Sequence, residues 1–228
     1  MTAKLYITDT PDPNDDFDKL LKKLNDEAIL GLIHFRIARG LSDMAINDPA
    51  VAESAPHFFY FTQKAHLDQS LLHSVRIFDK TQKSATIYTV LNDAERHQLL
   101  KRKPEVQEMV KSARHELSSL VPVIRRVQVF RNKAFVHLDP DAVQDPMKFA
   151  EASRFKIDEL ERLLWVAERI VGGIRSQYSG KVSPLELFNV YDYQYVLRTI
   201  SDAQCLKIKA FEAQGQKWSR KRPKACPS

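Results

Sequence analysis

Arg131 and His137 are the two side chains whose types and spacing look most like chemistry. They lie in Arg131-Asn132-Lys133-Ala134-Phe135-Val136-His137-Leu138-Asp139. An imidazole titrates near neutrality and can give or take a proton. A guanidinium stays charged and presents its donors in a fixed fork. A plainer reading needs the same residues: Arg131 pairs with an acid such as Asp79 or Asp139, and His137 simply ends a helix.

The element that must position them is a long apolar-periodic segment starting at Pro104. On a straight helix at about 100° per residue, Leu120, Val123, Ile124, Val127, Phe130, Ala134 and Leu138 form one stripe. Arg131 falls inside that stripe towards one margin, and His137 lies at the other. The two are about 120° apart around the axis and about 9 Å apart along it. A cation inside an apolar stripe needs a partner. One straight helix does not bring the pair onto a single atom, so either a bend near the loop or a second copy of the helix must.

The rest of the chain is also helical in pattern. Asn14 or Asp15 can cap a first helix that runs through Leu20, Leu24, Leu32 and Phe35 and ends between Gly40 and Pro49. A second runs from about Pro56 to Asp79, with Phe58, Phe59, Phe61, Leu67, Leu71, Leu72, Val75 and Phe78 as its apolar face. Lys80 to Ser84 is a polar break, followed by a short helix at about 85–91 and a turn or two to Leu100. Pro122 should kink or break the 104–137 segment, dividing it into roughly 104–120 and 122–137. A long helix is expected from about Pro146 to Tyr178, closed by Ser179 and Gly180, and a last one from Ser183-Pro184 to Ala213. With 6 glycines in 228 residues and no convincing strand, the fold class is all-α: an up-and-down helical bundle of five or six main helices. Its parts are an extended segment 1–13, one helical domain 14–213 and a basic tail 214–228.

The net charge of +6 is concentrated in that tail: removing Lys217, Arg220, Lys221, Arg222 and Lys224 leaves a body of +1. The tail reads as a solvated end, or as a non-specific contact for nucleic acid or another acidic surface. Two cysteines, Cys205 and Cys226, argue against a disulfide framework and fit a reducing compartment. Neither a secretory leader nor an apolar run of ~18 residues is evident, so no membrane association and a cytoplasmic location are expected. His57, His66 and His73 share a helix without convergent acids or cysteines, so no metal is expected. Phosphate loops, dinucleotide fingerprints and nucleophile elbows are absent, and no cofactor is expected. Tyr191, Tyr193 and Tyr195 could stack bases, but aromatic residues among apolar neighbours more often form core and rim.

The string Arg131-Asn132-Lys133, then His137 and Asp139, resembles the Arg-x(4–6)-His signature of the HEPN superfamily, with Asn132 as the polar residue after the arginine. It looks most like the abortive-infection, AbiU-like branch, and an upstream Arg-x-Phe-Asp at Arg76-Ile77-Phe78-Asp79 strengthens that resemblance, which covers roughly residues 20–180. The resemblance implies a HEPN-like bundle whose homodimer brings two motifs face to face. It also implies metal-independent endoribonuclease chemistry leaving a 2′,3′-cyclic phosphate. Arg131 and His137 would then be catalytic, with Asn132, Lys133, Asp139 and Asp79 supporting them or the substrate. RNA, a second copy and an antitoxin or neighbouring defence protein are the partners implied. The other outcome in such domains is a non-catalytic module that binds a protein or a nucleotide.

Overall fold

The computed structural model describes residues 16–79, 85–131, 154–181, 192–216, 222, 223 and 226. Among them the chain forms seven α-helices and no strand: α1 (Asp16–Asn47), α2 (Pro49–Ser54), α3 (Pro56–Phe78), α4 (Ile87–Arg96), α5 (Pro104–Arg131), α6 (Ile157–Ser179) and α7 (Asp192–Ala213). The fold is therefore all-α, as the periodicity indicates.

Local chemistry sets many of the helix ends. Pro49, Pro56 and Pro104 each open a helix, where a missing N–H and a fixed φ cost nothing. Thr86 caps α4, its hydroxyl accepting from Thr89 N at 3.4 Å. At the start of α6, Glu159 accepts from Lys156 N at 2.8 Å. Gly180 ends α6 at φ 68°, a left-handed conformation that suits glycine. Lys103 Nζ donates to Gln177 O at 2.6 Å, placing a cation on the last carbonyls of α6.

Several boundaries differ from the expectation: α2 is an additional helix, and α4 runs over Ile87–Arg96 rather than 85–91. Pro122 does not split the segment: α5 runs through it to Arg131. An internal proline costs ~3 kcal/mol, whereas Leu117, Leu120, Val123, Ile124 and Val127 around it are all buried at roughly 1.5–3 kcal/mol each. Helix α6 starts at Ile157, because Lys156 holds extended backbone (ψ 146°) and Glu159 caps the turn after it. The expected caps Asn14 or Asp15, the break 80–84, the helix ends at Pro146 and His137, and the start at Ser183-Pro184 lie outside the described residues.

The chain divides into two compact units, Met1–Leu32 with Leu71–Leu185 and Ile33–Ser70 with Glu186–Ser228. In the first, α5 packs along α6 and α4 packs on both. Leu160, Leu163, Leu164, Val171 and Ile174 of α6 are buried, as are Leu120, Val123, Ile124 and Val127 of the α5 stripe. Gly31 marks a close approach: a Cβ there would lie 2.6 Å from Leu164 Cδ2 and 3.2 Å from His73 Cβ.

In the second unit, α2 meets α7. Leu41, Val51 and Phe59 form a buried cluster with Ile37, Met44, Leu197 and Ile200 against it. Phe58 and Phe61 were expected on the apolar face of α3, yet they are exposed, and Phe59 alone of the three turns inward. Successive helical residues differ by about 100°, so one turn cannot bury all three on one side. Tyr195 is likewise exposed rather than core, two positions from the inward-facing Leu197. Leu206 is exposed as well, while its neighbours Cys205 and Ile208 are buried with Cys226.

Candidate functional site

The motif arginine stands at the described end of α5. Leu120, Val123, Ile124 and Val127 of the projected stripe are buried, and half-buried Phe130 meets Phe155 edge-on at 5.7 Å. Arg131 is half-buried beside them. Its Nε is buried and has no hydrogen-bond partner among the described residues. One turn earlier, Arg126 pairs with Glu159 at 2.8 Å. The Lys156 backbone N–H, and then Arg126, hold the Glu159 carboxyl below its ordinary range, while burial opposes them. This ion pair fixes the last turns of α5 against the start of α6.

Asp79 follows directly on α3. Gln128 Nε2 donates to Phe78 O at 3.1 Å, so the end of α3 is tied to α5 one turn before Arg131. Asp79 and Arg131 are thus held near the same contact. Asn132, Lys133, His137 and Asp139 lie outside the described residues. Phe78, the apolar member of the Arg-x-Phe-Asp string, is 2% exposed and anchors the end of the helix.

The same string belongs to a second polar cluster, which the sequence reading missed. Buried His73 places Nδ1 2.7 Å from Glu27 Oε2, and Arg76 Nη1 lies 3.5 Å from that same oxygen. A carboxylate can only accept, so this contact puts the proton on Nδ1 of His73. Glu27 and His73 are far apart in sequence, and neither occurs in a motif; one helical turn linking His73 to Arg76 was the available signal.

Two further arrangements involve histidine. His34 Nδ1 and His66 Nδ1 are 2.8 Å apart, so one ring donates and the other accepts, and burial lowers the pKa of His66. His97 stacks on Phe17 at 5.3 Å and meets Tyr178 edge-on at 4.9 Å. Its Nδ1 accepts from Leu99 N at 3.3 Å, which leaves Nε2–H to face the Tyr178 hydroxyl at 3.4 Å. A cleft of about 700 Å³ opens beside it, lined by Asp16, Leu20, Asp93, Arg96 and Gln98 among others. It contains none of the motif residues.

No group of three or more His, Cys, Asp or Glu side chains is placed to hold a metal ion among the described residues. None of the described helices is long and apolar enough to cross a membrane. The sequence model of the HEPN_AbiU2 family (AbiU2) matches residues 14–198. No significant match was found among curated proteins or among solved structures.

Proposed function

We propose, from the premise that this chain belongs to the AbiU2 family of HEPN proteins and so to an abortive-infection family, that it is a metal-independent endoribonuclease. Its composite site is built from Arg131 and His137 at a homodimer interface. The 2′-hydroxyl of RNA attacks the adjacent phosphodiester. His137 moves the proton, taking it from that hydroxyl or giving it to the departing 5′-oxygen. Arg131 holds the phosphate and stabilises its transition-state charge. The products are a 2′,3′-cyclic phosphate and a 5′-hydroxyl. Asn132 orients either group or contacts the phosphate, Lys133 steers substrate, Asp139 orients His137, and Asp79 supports Arg131. The domain is read as residues 14–213, with a basic tail after it. A neighbouring defence protein or antitoxin is the partner that restrains it.

The observation that carries this reading is Arg131. Its Nε is buried without a hydrogen bond among the described residues, on a helix fixed on both flanks by Arg126–Glu159 and Gln128–Phe78. A guanidinium held in a fixed turn with a donor N–H still unused is suited to take a phosphate oxygen.

The test is RNA cleavage by the purified protein in the presence of a chelator, with the product ends analysed. His137→Ala and Arg131→Ala should lose cleavage while keeping the helical spectrum and the dimer mass. Cleavage at wild-type rate by His137→Ala would remove its role.

A second reading, a non-catalytic module that binds a protein, is favoured by exposed aromatic residues. Phe58, Tyr60 and Phe61 on α3 and Tyr195 on α7 have the composition of an interface rather than of ordinary surface. It requires that wild-type protein cleave no RNA with or without metal.

A further inference from the structure

Cys205 and Cys226 are the two cysteines of the chain, and both are free thiols. They are buried together, 8% and 7% exposed, in one cluster with Ile208. Within that cluster the two side chains are neighbours, 21 residues apart in sequence. The segment carrying Cys226 is fastened to α7 at a second point, where Arg222 pairs with Glu212, and Cys226 N donates to Pro223 O at 2.9 Å. Burial alone explains a cysteine as a small hydrophobe. It does not require the chain's two thiols to meet. Lys217, Arg220, Lys221, Arg222 and Lys224 all lie between the two positions in sequence, so a bond between the thiols would enclose them in one covalent ring.

We propose that Cys205 and Cys226 form a dithiol modification site, which a small-molecule disulfide oxidises to an intrachain disulfide closing the basic segment into a covalent loop on α7. The Cys226 thiolate attacks one sulfur of the oxidant, forming a mixed disulfide and expelling one thiolate. The Cys205 thiolate then attacks the Cys226 sulfur and expels the second. Two protons and two electrons leave the protein, and the oxidant becomes two thiols. Burial first, then the hydrogen bond and charge of Cys226 and the charge of Asp202, hold the Cys205 thiol up at about 11, against the opposing charge of Lys209. Below that value its thiolate fraction, and with it the closing step, rises about tenfold per pH unit.

The experiment treats the reduced full-length protein with oxidised glutathione, quenches with a maleimide, and reads intact mass and tryptic peptides. Wild type should lose two hydrogens, take up no maleimide, and yield one cross-linked peptide pair containing Cys205 and Cys226. Cys205→Ser and Cys226→Ser should each stop at a glutathione adduct. Closure should be about tenfold or more faster in the native protein than in urea, because the fold raises the effective concentration of one thiol near the other. Glutathione adducts without a cross-link, a cross-link between chains, unreacted thiols, or closure no faster than in urea would each overturn the proposal.

Discussion

The two compact units use the same secondary structure to different ends. The first joins its helices by burial and by ion pairs. Arg114 holds Glu95 at 2.9 Å and Asn92 at 2.8 Å, Arg126 holds Glu159, Arg169 holds Glu116, and Lys181 holds Asp18 at 3.0 Å. The second buries a small cluster and leaves Ile46, Phe58, Tyr60, Phe61, Tyr195, Val196 and Leu206 exposed. Long helices such as α5 and α6 present whole faces to one another, and their exposed large apolar residues are the scattered Val121, Ile157 and Trp165. Where helices contribute only short stretches, apolar positions outnumber the partners available to cover them. The difference separates a scaffold, which holds the motif arginine, from a surface suited to contact.

The largest effect should come from the scaffold's cargo. His137→Ala should reduce RNA cleavage by ~10²–10⁴-fold, and Arg131→Ala by ~10²–10³-fold, with melting temperatures little changed; retained cleavage would leave the scaffold without its function. Next is the scaffold itself. Gly31→Val should destabilise by ~1–3 kcal/mol, since branched atoms must displace Leu164 or His73. A denaturant midpoint equal to wild type would mean that the approach at Gly31 is looser than drawn.

The third prediction concerns acid and the second unit. The His66 pKa is lowered in the fold by burial, so its contribution is fully present above the ordinary value of 6.5 and is lost as pH falls from there towards the depressed value. Protonating both rings also destroys the donor–acceptor pair with His34. Thermal melts should therefore fall below that pH, and His66→Gln should flatten the dependence. Smaller still is Glu159→Gln, at ~0–1 kcal/mol for a partly exposed pair. Because the Glu159 pKa is depressed, the difference from wild type should hold at neutral pH and vanish as acid titrates the carboxyl through its folded value. The smallest change should come from Phe58→Ser with Phe61→Ser, within ~0.5 kcal/mol. A large loss of stability there would erase the contrast between the units.

Much of the architecture was legible because its signals are local. Prolines at 56 and 104 open helices, Gly180 closes one, and the 120–127 stripe faces inward as its spacing indicates. Pro122 misled because a local penalty was outweighed by burial of its neighbours. The start of α6 was placed too early because the capping of Lys156 by Glu159 looks like ordinary helical sequence. Of the site, Arg131 on its helix and Asp79 at the end of the Arg-x-Phe-Asp turn were readable. The bond from Gln128 to Phe78 that ties their elements together was not, and neither was the Glu27–His73 contact.

The sequence by itself determined that the chain is helical, where α3 begins and ends, where α5 begins and α6 ends, and which family it belongs to, since periodicity, turn residues and motif spacing are properties of near neighbours along the chain. Only the tertiary structure decided that Gly31 is a close approach, that Phe59 rather than Phe58 or Phe61 is core, and that Cys226 meets Cys205. Each depends on residues far apart in sequence, whose meeting is set by packing that no local pattern encodes.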